Sequence, residues 1–201
     1  MTIYQLKPAF QNLLRPLCRT LANRGITANQ VTIAALLLSL ATGATIWLSA
    51  GARWSLYLLP IILFLRMALN AIDGMLAREH DMKSPLGAIL NELGDVASDT
   101  ALYLPLAVTP GLNPTLMVLI VILAVISEMT GILALLVGAQ RRYDGPMGKS
   151  DRAFAFGLLA LLLAAGVPTG IWLHLALATV LLLLLATILN RAKRALAETE
   201  A

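Results

Sequence analysis

Long apolar runs recur along nearly the whole chain, and they restrict its fold more than any other feature. Stretches near residues 28–50, 53–79, 85–108, 115–139, 150–167 and 169–190 are each long enough to cross a hydrocarbon layer, which is about 30 Å thick and needs a helix rising about 1.5 Å per residue. The final pair is divided by Gly166-Val167-Pro168-Thr169-Gly170, which reads as a tight turn between two spans. Composition agrees, with 59% of the 201 residues hydrophobic and 13% charged, against about 45–50% apolar content in a soluble domain. The expected fold is an all-α integral membrane protein in which 1–201 form a single domain, with six transmembrane helices over 28–190. No repeat, low-complexity tract or second domain interrupts it.

The cations test that count by their placement. Lys7, Arg15, Arg19 and Arg24 precede the first run, and Arg78 and Lys83 follow the second. Arg141, Arg142, Lys149 and Arg152 follow the fourth, and Arg191, Lys193 and Arg194 follow the sixth. The opposite connections contribute only Arg53. Cytoplasmic loops are enriched in Lys and Arg, so both termini are expected in the cytosol of a bacterial inner membrane. Residues 1–24 place Ile3, Leu6, Phe10, Leu13, Leu14, Leu17 and Leu21 at helical spacing with basic residues between. They predict an amphipathic interfacial helix lying on the inner surface. No short apolar stretch follows a basic start closely enough for a cleaved signal peptide. Cys18 is the single cysteine, which excludes an intramolecular disulfide. The net charge of +4 is not interleaved with aromatic residues, and membrane orientation accounts for it better than nucleic acid.

Ionisable groups within apolar spans are costly, and each needs a partner, a cavity or a metal. On the second predicted span Arg66, Asn70, Asp73 and Ala77 share one stripe, with Gly74 beside it, and on the third Gly87, Asn91 and Asp95 recur every four residues with Asp99 one turn on. The connection from Glu79 to Ser84 is short, with Ser84 suited to cap the next helix and Pro85 to its first position. Antiparallel neighbours follow, and the two polar stripes can face each other.

The spacing Asp73-Gly74-x2-Ala77-Arg78-x8-Gly87-x3-Asn91-x3-Asp95 resembles the signature of the CDP-alcohol phosphotransferase family, D-x2-D-G-x2-A-R-x8-G-x3-D-x3-D. Thr27-Ala28-Asn29-Gln30-Val31-Thr32 ahead of the first span and Gly148-Lys149 before the fifth are also similar to that family. The resemblance implies a transferase of phospholipid biosynthesis that moves a phosphoryl-alcohol, in particular a phosphatidyl group, from CDP-diacylglycerol or another CDP-alcohol to an alcohol acceptor, with release of CMP. It implies Mg2+ or Mn2+ as cofactor, membrane lipids as surroundings and a homodimer. Carried over residue by residue, Asp73 is a metal ligand, and Asp95 is the general base as well as lying near the metals. Gly74 and Ala77 leave room for a flat base, Arg78 donates to a phosphate oxygen, and Gly87 belongs to the same substrate site. Lys149 and Arg152, in the basic loop at the start of the fifth span, would hold a phosphate of donor or acceptor.

The chain departs from the pattern at Asn70 and Asn91, which stand where the family has its first and third aspartates, both metal ligands. An amide oxygen can coordinate Mg2+, but the quartet's formal charge changes from −4 to −2. Three outcomes are open: weaker binding of both metals, a single metal, or a catalytically weak or inactive member that binds CDP-lipid or nucleotide without turnover. Glu92 and Asp99 could rebuild the lost charge, or Glu92 could face a neighbouring helix or water while Asp99 pairs with a cation such as Arg66. Glu128, inside the fourth span, is either functional or a structural hydrogen-bonding group. His80 and His174 lack metal-ligand spacing. A small transporter would also explain intramembrane charges, but transporters show internal repeats and Gly/Pro-broken helix pairs that this sequence lacks.

Overall fold

The computed structural model describes the backbone of residues 3–199 and side chains from Pro8 to Thr199; the side chains of Ile3, Leu6 and Lys7 lie outside the described part. The described residues are helical, with no strand among them. The helices are α1 (Ile3–Asn23), α2 (Ala28–Leu48), the short α3 (Arg53–Leu56), α4 (Leu58–Glu79), α5 (Pro85–Tyr103), α6 (Pro114–Leu133), α7 (Lys149–Ala164) and α8 (Ile171–Thr199). Single 3-10 turns extend α5 over Leu104–Val108 and α6 over Ala134–Val137.

Local chemistry sets most of these limits. Thr27 and Gln30 form a reciprocal capping box at the start of α2, the Gln30 amide donating to Thr27 Oγ1 (3.3 Å) and the Thr27 amide to Gln30 Oε1 (2.9 Å). Ser84 accepts from the Gly87 amide at 2.9 Å ahead of Pro85, as its sequence position predicts. Asn113 caps α6 in the same way, accepting from the Leu116 amide at 3.1 Å. Gly138 (φ 85°) and Gly166 (φ 86°) close the ends of α6's extension and α7 in the left-handed region, which favours glycine.

Four helical segments are long and apolar enough to cross a bilayer: Ala28–Leu48, Arg53–Glu79, Pro114–Val137 and Ile171–Thr199. The stretches expected as the third and fifth spans form the helices α5 and α7, which are not among those four. Three acidic residues, Glu92, Asp95 and Asp99, make α5 more polar, and α7 is 16 residues long. Backbone groups in lipid must be satisfied within the segment, and helices do that. Large apolar side chains such as Leu48, Phe64, Leu136 and Ile171 stand exposed.

The chain divides into two compact units, one of Met1–Ala41 with Ile61–Ser98 and one of Thr42–Pro60 with Asp99–Ala201, so α2, α4 and α5 contribute to both. In the first unit α1 docks on α2 and α4. Cys18, Ala28, Val31, Ile72, Met75 and Leu76 form its buried cluster, with Leu14 and Leu21 packed against it. Phe10 meets Phe64 edge to face with centroids 6.1 Å apart, and Arg15 pairs with Glu79 at 2.9 Å. Leu13 and Leu17 remain exposed on the other side of α1.

In the second unit α6 packs along α8. A Cβ at Gly43 would overlap the Ala101 carbonyl, so α2 and α5 touch here through backbone. Tyr103 and Phe156 stack with centroids 4.5 Å apart. The helix α8 runs to Thr199 rather than ending near 190, because its charged last turns find partners. Arg194 reaches Asp144 (2.7 Å), and Glu198 reaches Arg142 (2.6 Å).

Candidate functional site

The polar stripes of α4 and α5 meet in the first unit. Asn70 donates through Nδ2 to Asp95 Oδ1 at 3.1 Å, and the Arg66 guanidinium lies 3.7 Å from the same oxygen, an ion pair rather than a hydrogen bond. Arg66 is buried at 4% exposure, while the Asp95 side chain keeps 25%. One turn further along α4, Asp73 is buried, and its Oδ2 accepts from Thr32 Oγ1 of α2 at 2.8 Å. A carboxylate withdrawn from water needs such donors, since an uncompensated buried charge is costly. The capping box at Thr27 fixes the start of α2 and thereby the height of Thr32.

Glycines leave room for neighbouring side chains here. A Cβ at Gly87 would lie 2.8 Å from Asn29 Oδ1 of α2, and one at Gly94 would meet the Thr32 methyl at 3.5 Å. At Gly74 a Cβ would stand 3.2 Å from both terminal nitrogens of Arg78. The Arg78 side chain therefore folds back along α4 by one turn, over Gly74. Ala77 packs at the edge of the Cys18 cluster, so its small side chain serves the docking of α1. Asn91 and Glu92 are half-buried on α5.

The second unit holds a buried ionic network. Arg152, 1% exposed, binds Asp99 Oδ2 at 3.0 Å and Glu128 Oε1 at 2.9 Å. Glu128 Oε2 lies 3.4 Å from Arg191 and 3.6 Å from Arg141. Arg191 also donates to the Ser127 carbonyl at 2.6 Å and the Asp144 carbonyl at 3.1 Å. Arg152 thus sits between two carboxylates inside the protein. Asp99 pairs with Arg152, and Glu128 lies among Arg152, Arg191 and Arg141. Lys149 opens α7 half-buried. Outside the spans, Arg142 and then Arg194 hydrogen-bond to Asp144 and hold its carboxyl below the usual carboxylate range.

Thr32 and Arg191 are the site and network residues that sequence reasoning missed. Thr32 lay within a motif already singled out, but its partner is 41 positions away. Arg191 was read only as a cation at the end of a span.

The donor set does not suit a pair of divalent ions. Asn70, Asp73, Asn91 and Asp95 carry −2, and Arg66 beside them brings the sum to −1. Among the described residues no group of three or more His, Cys, Asp or Glu is arranged to hold a metal. Asn70 turns its donor end, not its carbonyl, to Asp95. A single hard cation takes oxygen ligands and asks for less counter-charge than a pair does.

A family model described as CDP-alcohol phosphatidyltransferase matches residues 25–190, and the chain belongs to that family. It is 49% identical over 196 residues to the inner membrane protein YnbA of Escherichia coli strain K12, spanning 98% of this chain and 97% of that protein. Archaetidylinositol phosphate synthase of Pyrococcus horikoshii is 32% identical over 103 residues, 51% of this chain and 52% of that one. Phosphatidylinositol phosphate synthase (PgsA1) of Mycobacterium tuberculosis has a similar fold. Its structure with manganese and citrate gives a TM-score of 0.76 at 18% identity, covering 90% of this chain and 88% of that one. The structure with CDP-DAG bound gives 0.72 at 19%, covering 92% of each.

Proposed function

We propose that this chain is a phosphatidyltransferase that takes CDP-diacylglycerol as donor and an alcohol as acceptor and releases CMP. The observation that carries the reading is the meeting of the two motif stripes at Asn70 and Asp95, 3.1 Å apart, within the stretch matched by the family model. The CDP-DAG bound to the PgsA1 neighbour supports the choice of donor. In the reaction the acceptor hydroxyl oxygen attacks the phosphorus that carries diacylglycerol, a new P–O bond forms, and the P–O bond to CMP breaks with its electron pair leaving on CMP. Asp95 takes the hydroxyl proton, its carboxylate oriented by Asn70 and Arg66. Arg78, laid back over Gly74, donates to a phosphate oxygen of the donor, and the close approach of α2 at Gly87 shapes the same site. Lys149 meets a charged group of donor or acceptor, whereas Arg152 acts in positioning through Asp99 and Glu128.

A single Mg2+ or Mn2+, held by Asp73 and Asp95 with the amide oxygens of Asn70 and Asn91, would supply counter-charge to the diphosphate. The protein works as one domain of six spans in a bacterial inner membrane, both termini cytosolic, with the exposed Leu13 and Leu17 stripe of α1 in the lipid interface. It pairs as a homodimer. The amides at 70 and 91 favour one second reading, a member that binds CDP-lipid without turnover. Purified protein incubated with CDP-diacylglycerol, Mn2+ and a mixed acceptor pool should release CMP and form a new lipid, both read by mass spectrometry. Asp95→Asn should slow CMP release about 10²–10⁴-fold. Binding of the donor with no CMP above the Asp95→Asn level would establish the second reading instead.

A further inference from the structure

We propose that α1 is a sensor of anionic lipid, and that its attachment to a negatively charged membrane surface sets how tightly the donor site binds its nucleotide. This rests on the reading of the α4–α5 site as a CDP-alcohol site and adds the regulation of that site. The helix is weak on its own account. Pro8 and Pro16 lie inside it, and a proline in a helix interior removes a backbone hydrogen bond and crowds the preceding turn. Its 21 residues are therefore held less by their own backbone than by the surfaces they pack on. One surface is the bundle, since Leu14, Cys18 and Leu21 belong to the cluster that includes Met75 and Leu76 of α4. Leu13 and Leu17 take no part in that cluster and stand 75% and 49% exposed.

Charge selects the lipid. No acidic residue precedes Asp73 in the sequence, while Lys7, Arg15, Arg19 and Arg24 all fall in or just after α1. Arg19 and Arg24 are exposed. A basic helix with leucines to bury gains from an anionic surface both by that burial and by attraction of its cations, whereas a neutral surface supplies only the first. The same helix grips the end of α4. Arg15 holds Glu79, the last residue of α4, by two hydrogen bonds, Nε to Oε2 at 3.1 Å and Nη2 to Oε1 at 2.9 Å. Asn12 Oδ1 accepts from the same guanidinium at 2.8 Å and fixes its direction. Ala77 packs at the edge of the Cys18 cluster. Between these two anchors stands Arg78, folded over Gly74. The final turn of α4 is thus fastened through α1, and Asp73, Gly74 and Arg78 lie on it or next to it. Loosening α1 frees that turn and with it the placement of Arg78.

The test uses the full chain in nanodiscs of phosphatidylcholine alone and of phosphatidylcholine with about one third phosphatidylglycerol. CDP affinity is measured in Mn2+, and hydrogen exchange is followed over α1 and over residues 75–79. Phosphatidylglycerol should slow exchange in both segments and tighten CDP binding about fivefold or more. The difference between the two discs should vanish at about 1 M salt, which screens exposed charges. Arg19→Gln with Arg24→Gln should bind CDP in the anionic discs only as tightly as the wild type does in neutral ones. Arg15→Gln should keep the slower exchange over α1 but lose it over residues 75–79, together with the gain in affinity. Should the double variant not fold, the salt series on the wild type decides the matter. Equal CDP affinity in the two discs, or a difference that survives high salt or the loss of both arginines, would overturn the proposal and leave the donor site standing. No CDP binding in either disc would remove the donor site itself and its regulation with it.

Discussion

At the residue scale, the contact between Thr32 and Asp73 decides how a buried carboxylate survives in this site. A hydrogen bond to a charged group contributes about 1.5–3 kcal/mol. Thr32→Val keeps the shape and removes that donor, so kcat/KM for CMP release should fall about tenfold or more while the protein still elutes as a folded species. Unchanged kinetics would mean that Asp73 is held by other groups. The two polar stripes were legible from spacing, since Asn70, Asp73, Gly87 and Asp95 fall at helical period, while the resemblance to the family signature singled them out as a motif. Their partners were not. Asp95 and Asp99 lie four residues apart, about 6 Å along one helix, and periodicity cannot tell which of them stands level with Arg66. The pairs seen are Asp95 with Arg66 and Asp99 with Arg152.

At the scale of elements, boundaries were read well where punctuation was local. Ser84-Pro85, Asn113-Pro114 and Gly166 each stop or start a helix through a bond or dihedral of their own. The C-terminal limit was misread, because a cluster of cations looks like the end of a span until its partners are known. Arg142, Asp144, Arg194 and Glu198 fasten the loop before α7 to the last turns of α8. Asp144 has its carboxyl lowered from 3.8, chiefly by the Arg142 hydrogen bond. A lowered carboxylate stabilises the fold above its ordinary value and loses that contribution as pH falls through the lowered one. Asp144→Asn should therefore melt below the wild type at pH 7, and the two should converge well under pH 3.8 in thermal scans across pH. A gap that widened toward acid would contradict the assignment.

For the molecule as a whole, the apolar exterior was predictable from hydropathy, while the ionic interior was not, since Asp99, Glu128, Arg152 and Arg191 come from four separate helices. Removing one member strands the others: breaking a buried pair costs about 3–5 kcal/mol. Glu128→Gln should lower the melting temperature in detergent by on the order of 10 °C. A single variant that melts with the wild type would show that the network adds no stability. One last consequence belongs to Cys18, fully buried beneath α1 and the chain's sole thiol. Burial raises its pKa and shields it from reagents. The chain therefore carries its own stopwatch: the pace of maleimide labelling reports how often α1 lifts away, with no engineered label and no competing signal from elsewhere in the chain.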